Sequence, residues 1–145
     1  MIGLLQRVNG ARVRIDGQCV GEVNRGLMVL VGIQKGDDVS KADRLLERLL
    51  GYRVFYDQTG RMNLSLRDIQ GGLLLVPQFT LAADTRKGMR PGFSTAADPV
   101  LGEALFSHLM TMAESSYHTV ASGVFGANMQ VELINDGPVT FWLES

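Results

Sequence analysis

Apolar and polar positions alternate along the opening stretch of the chain. Ile2, Leu4, Gln6 and Val8 fall on one side of an extended strand, Val13 and Ile15 follow, and Asn9-Gly10 and Asp16-Gly17 are hairpin signals between the runs. This pattern predicts an antiparallel meander. Gly26 to Ile33 is apolar without alternation, as a central strand covered on both faces would be. The period then changes: Ala42, Leu45, Leu46, Leu49 and Leu50 lie at helical spacing, with Asp37, Asp38 or Ser40 available as caps and Gly51 as a stop. Tyr52 to Leu66 reads as a strand, a turn over Asp57–Gly60 and a short strand, and Gly71–Leu81 as a buried strand that breaks at Pro77. Asp98-Pro99 has the chemistry of a cap and first turn. It opens a second helix whose inner face takes Leu101, Ala104, Leu105, His108 or Leu109, and Met112. Ser122 to Leu143 closes the chain as two strands joined at Gly137-Pro138. Runs of strands with two helices and short turns predict an α+β fold: a curled, largely antiparallel, barrel-like sheet with both helices packed on one face.

Length and composition narrow the class. With 145 residues, 46% hydrophobic and 20% charged, the chain is expected to form a single domain over 1–145. No apolar run approaches a membrane span, and a soluble, cytoplasmic protein is expected. Cys19 is the one cysteine, so intramolecular disulfides and thiolate metal clusters are excluded, and it reads as a small strand residue. A net charge of −1 offers no global attraction to polyanions, so any nucleic-acid contact must come from a local patch and broad DNA binding is not expected. Arg86, Lys87 and Arg90 form the dense basic cluster, which suits either a phosphate contact or a solvated loop.

Familiar side-chain catalysts are hard to assemble. The chain lacks a Gly-x-Ser-x-Gly elbow, a Cys-His pair, a His-Glu-x-x-His motif and a Walker loop. His108 and His118 are its only imidazoles and read as rim or core residues, and no metal site or cofactor is expected. What stands out instead are residues that shape the backbone. Pro77 ends a strand and leaves the N–H groups of Gln78, Phe79 and Thr80 in a bend, where donors can point outward as they do in an oxyanion hole. Gly137-Pro138 pairs the most permissive residue with the most rigid one. The pair is either a simple turn or a device that aims carbonyls. Groups of this kind suit a substrate that is already activated, such as an ester.

Gln6-Arg7-Val8, Gln78–Asp84 (QFTLAAD), Gly88–Phe93 (GMRPGF), Gly123–Val131 (GVFGANMQV) and Asn135–Leu143 (NDGPVTFWL) together resemble the D-aminoacyl-tRNA deacylase family, over nearly the whole chain. The resemblance implies a homodimer that hydrolyses the ester joining a D-amino acid, or glycine, to the 3′-terminal adenosine of tRNA, a proofreading activity in translation. It implies that the Gly137-Pro138 bond is cis and sends its carbonyls into the partner subunit's site, so that an L side chain is excluded. Arg7 would brace those carbonyls, and Phe125 would carry the adenine end. Backbone donors near Gln78 and Phe79 would stabilise the reacting carbonyl, and a neighbouring ribose hydroxyl would assist water. Thr80 is the nucleophile candidate by position, but no base lies next to it in any motif. The family usually has serine where this chain has Pro77, which removes a hydroxyl and an N–H. Two alternatives stay open: a related class with a trans Gly-Pro bond that admits small L-amino acids, and an inactive dimeric nucleic-acid-binding module.

Overall fold

The computed structural model describes all residues, 1–145. The chain runs β1 (Ile2–Ile15), β2 (Gln18–Val23), β3 (Gly26–Gly32), α1 (Val39–Gly51), β4 (Phe55–Tyr56), β5 (Met62–Leu64), α2 (Leu66–Ile69) and β6 (Gly72–Pro77). A 3-10 turn over Phe79–Ala82 follows, then α3 (Pro99–Ser116), β7 (Val120–Ser122) and β8 (Gln130–Glu144). Six strands share one sheet in the order β2-β1-β3-β6-β7, with β8 on the other edge of β1. β2 also lies against β7, so the sheet nearly closes into a barrel.

The predicted α+β architecture is present, and it differs from the expectation in particulars. The sheet is mixed: β1 pairs antiparallel with β2, β3 and β8, whereas β3–β6 and β6–β7 are parallel. Parallel neighbours need long crossovers, and α1 and α3 lie on the two that this sheet requires. Asn9-Gly10 is not a turn. β1 continues through it for 14 residues with a register shift between Val8 and Gly10, because the dipeptide permits a turn without imposing one. Near its start β1 is covered on both faces: Ile2, Leu5, Arg7 and Val8 are buried, while Leu4 and Gln6 are only partly so. A short third helix, α2, is closed by a capping box between Ser65 and Asp68.

Two apolar clusters flank the sheet. Leu45, Leu49 and Leu50 of α1 and Leu105, Phe106, Leu109 and Ala113 of α3 pack on Leu5, Leu27, Val29, Val31, Leu73 and Leu75. Val8, Val13, Met28, Leu74 and Val76 fill the barrel interior. Successive residues of β3 and β6 thus serve opposite faces, which explains why those runs are apolar without alternation. Asp38 caps α1 through the Lys41 N–H, while Asp37 holds the amino group of Met1 and the Gln34 N–H, each at 2.7 Å. Asp98 caps α3 as the sequence predicts. The inner face of α3 is rotated from the expected one, burying Gly102, Phe106 and Ala113 and leaving Ala104 and Met112 outside. The helix is apolar around much of its circumference, so periodicity alone underdetermines its face.

Candidate functional site

β6 pairs with β3 as far as Val31↔Pro77, and the chain then turns sharply into the 3-10 turn. The Gln78 N–H does not point outward as expected. It donates to the Val31 carbonyl at 2.7 Å and extends the ladder by one bond. The N–H groups of Phe79 and Thr80 have no acceptor in the protein, since the first donors of a helical turn have no carbonyl before them to bind. Phe79 is 59% exposed, so these donors sit at the surface of a built pocket rather than inside the core.

That pocket is an apolar cavity of about 270 Å³ at the bend, walled by Val31, Pro77, Gln78, Phe79, Gly102 and Phe125. Gly102 lies on α3 with the Phe125 ring against it: a Cβ at this position would stand 3.0 Å from the ring Cζ. The helix surface is notched there, and the ring settles into the notch. Sequence reasoning missed Gly102. A glycine within the first turns of a helix, where it costs up to about 1 kcal/mol relative to alanine, was the available signal. Asp98 also reaches the cavity, with Oδ1 spent on the Val100 and Leu101 N–H groups at 3.1 Å each. No histidine lines it. His108 pairs with Asp43 at 2.7 Å, linking α3 to α1, and the His118 ring lies 4.6 Å from that of Tyr117.

Thr80 borders a neighbouring open depression with Trp142 and Asp84. Its hydroxyl accepts from the Gln78 side-chain amide, and no carboxylate, imidazole or amine contacts it. An amide donor cannot take a proton from a hydroxyl, so this contact does not activate Thr80 as a nucleophile.

Arg7, Gly137 and Pro138 form a second cluster away from the cavity. β8 does not turn at Gly137-Pro138. It pairs with β1 at Val8↔Asn135 and resumes at Gln6↔Thr140, so Asp136, Gly137, Pro138 and Val139 bulge out opposite Arg7 alone. The Gly137–Pro138 peptide is cis. Gly137 has φ +131°, and a Cβ there would lie 2.7 Å from Val139 Cγ2 and 3.1 Å from an Arg7 guanidinium nitrogen, so only glycine fits.

The Arg7 side chain is 3% exposed, against the reading of a solvated strand residue. Its Nε donates to the Asp136 carbonyl at 3.1 Å and pairs with the Asp136 carboxylate, Nη1 donates to the Val54 carbonyl at 2.6 Å, and the guanidinium lies 4.8 Å over the Tyr56 ring. The Asn135 amide closes the neck of the bulge, donating to the carbonyls of Arg7 and Val139 at 3.0 Å each. Gly137 and Pro138 face outward.

Of the predicted site residues, the fold therefore joins Gln78, Phe79 and Phe125 at one cavity, with Thr80 beside them, and Arg7, Gly137 and Pro138 at a separate loop. The separation follows from β1. Ile2 borders the same depression as Thr80, and Arg7 stands five residues farther along, roughly 17 Å at the rise of an extended strand.

The model of a D-Tyr-tRNA(Tyr) deacylase family matches residues 4–144. A D-aminoacyl-tRNA deacylase of Thioalkalivibrio sulfidiphilus is 64% identical over 144 residues, which are 99% of this chain and 97% of that one. One of Pseudomonas fluorescens is 62% identical, and the alignment covers 100% of both chains. Among solved structures, a c-Myc DNA unwinding element binding protein superposes with a TM-score of 0.95 at 35% identity, covering 100% of this chain and 99% of that one. A probable eukaryotic D-amino acid tRNA deacylase gives 0.82 at 18% identity, with 99% and 98% covered, a likeness of fold.

Proposed function

Because the chain belongs to the D-aminoacyl-tRNA deacylase family, whose members are ester hydrolases, we propose that it clears D-amino acids and glycine from tRNA at a site built by two copies of the chain. The observation that carries the two-copy reading is the division of the site. The cavity with free N–H donors and the outward-facing Gly137-Pro138 loop share no residue and are held apart by the length of β1. One chain supplies a floor without a gate and a gate without a floor. A homodimer brings each loop over the partner's cavity.

In the proposed reaction the terminal adenine lies against Phe125 in the apolar cavity, and the ester carbonyl oxygen faces the N–H groups of Phe79 and Thr80. Water attacks the carbonyl carbon, assisted by the free ribose hydroxyl, and the N–H donors hold the developing oxyanion. Collapse breaks the bond to the ribose oxygen, which takes the proton and leaves as tRNA. Donors of this kind are worth about 2.7–4 kcal/mol apiece in acyl transfer. Carbonyls of the partner's Gly-Pro loop crowd the Cα of the substrate, leaving room for hydrogen on that side. An L side chain clashes there, a D side chain points away, and glycine passes.

Mixing two crippled chains tests the shared site. Phe125→Ala damages the cavity and Arg7→Ala the loop, so co-expressed chains form mixed dimers holding one intact composite site. Random assortment predicts recovery of roughly a quarter of wild-type activity. If each chain held a whole site, mixing would restore nothing.

Thr80→Ala is expected to retain deacylation of D-Tyr-tRNA within about threefold, because the work is assigned to the backbone N–H and the ribose. A thousandfold loss would make the hydroxyl the nucleophile. Single-turnover rates decide between these.

A further inference from the structure

We propose that the loop between Asp84 and Gly92 docks the phosphate backbone of the tRNA acceptor arm through Lys87 and Arg90, an assignment that rests on the deacylase reading. The loop is a closed unit. Asp84 and Gly92 exchange both backbone hydrogen bonds, at 2.7 and 2.9 Å, and pinch its base. The guanidinium of Arg86 folds back on Asp84 in a two-point contact, Nε to Oδ1 at 2.9 Å and Nη2 to Oδ2 at 2.7 Å. These bonds hold the Asp84 carboxyl well below the usual carboxylate range, so the clasp stays shut at neutral pH.

Arg86 thereby supplies shape, and its charge is neutralised. Lys87 and Arg90 are different: both are exposed, and neither has a carboxylate within ion-pair distance. They flank an open depression of about 410 Å³ lined by Asp84, Arg86, Lys87, Arg90, Gly92 and Ser94, with no apolar side chain among them. Three cations and one carboxylate leave the depression a net +2 on a chain whose total is −1, so the attraction is local.

The loop is also in the right place. Phe93, next to its pinched base, packs on Phe79 with ring centroids 5.1 Å apart and the rings tilted, and Phe79 is a wall of the apolar cavity. An RNA whose 3′ end occupies that cavity must pass close to the loop with its backbone. Two free cations beside a hydroxyl, without a base-sized apolar surface, match phosphate and read no sequence.

The experiment compares Lys87→Ala/Arg90→Ala with wild type on two substrates, full-length D-Tyr-tRNA and 3′-O-D-tyrosyl-adenosine, which has the ester and the base but no phosphate. On the tRNA, kcat/KM should fall about 20-fold near 0.1 M salt, mostly through KM, with the log–log salt dependence shallower by about 1.4 to 2. Hydrolysis of the adenosine ester should be unchanged, which also shows that the variant is folded. Wild-type rates on the tRNA, or equal losses on both substrates, would overturn the phosphate role. A wild type inert on both would strike down the deacylase reading itself, and this inference with it.

Discussion

Replacing Arg7 with alanine is expected to lower kcat/KM for D-Tyr-tRNA about a hundredfold, the scale of a displacement near 1 Å in a positioning group. The preference for D over L esters should narrow as well. The guanidinium ties the Asp136 carbonyl in the bulge to the Val54 carbonyl, so its loss unhooks the Gly137-Pro138 segment from the rest of the fold. It also leaves the Val54 carbonyl, on a residue with 0% exposure, without its donor. Such a loss costs about 1–3 kcal/mol of stability. Asp136 is 39% exposed, so water compensates its carboxylate and the full penalty of a broken buried pair does not apply. Arg7→Lys should recover part of the stability and little of the selectivity, because an ammonium cannot reach both carbonyls in the planar, forked geometry. Paired rates on D-Tyr-tRNA and L-Tyr-tRNA, with urea melts, check the expectation. A folded alanine variant with the wild-type D-to-L ratio would remove the loop from chirality.

Phe125→Ala should cost about 10- to 100-fold in kcat/KM, the 1–3 kcal/mol typical of a base stacked on an aromatic ring. The loss should be similar for D-Tyr-tRNA and for an adenosine ester, since both present the same base. Gly102→Ala probes the same wall from behind. Its Cβ would press on the ring at 3.0 Å, while alanine favours the helix by about 1 kcal/mol over glycine. A chain no less stable, and yet weaker toward substrate, would separate cavity shape from folding. An adenosine ester cleaved normally by Phe125→Ala would mean that the base binds elsewhere.

Much of this could be read in the sequence, and the failures share a cause. α1 and α3 were legible because Asp38 and Asp98 mark their starts chemically. β3 and β6 were legible as doubly covered strands, since both faces are apolar. Their parallel pairing was not, because alternation does not record a neighbour's direction, and that pairing consumes the Gln78 N–H. Asn9-Gly10 misled for a related reason: local turn chemistry yields to a ladder that continues on both sides. Arg7 gave no compositional sign of burial. Its place came from the family resemblance, and its physical reason lies in carbonyls 47 and 129 residues away along the chain. Pro77 forms part of the cavity wall, and the β3 ladder runs one bond past it, from the Gln78 N–H to the Val31 carbonyl.

The bulge opposite Arg7 has a consequence for how the protein can change. β1 and β8 are in register both before Asn135 and after Thr140, so the length of the projecting segment is decoupled from the rest of the pairing. In an ordinary strand, one added residue would flip every later side chain to the other face. Here a change in length at the exposed Gly137-Pro138 tip, between Asp136 and the buried Val139, is expected to leave Trp142 and Leu143 on their β1 partners. The segment is a cassette whose length can change without redesigning the barrel that carries it.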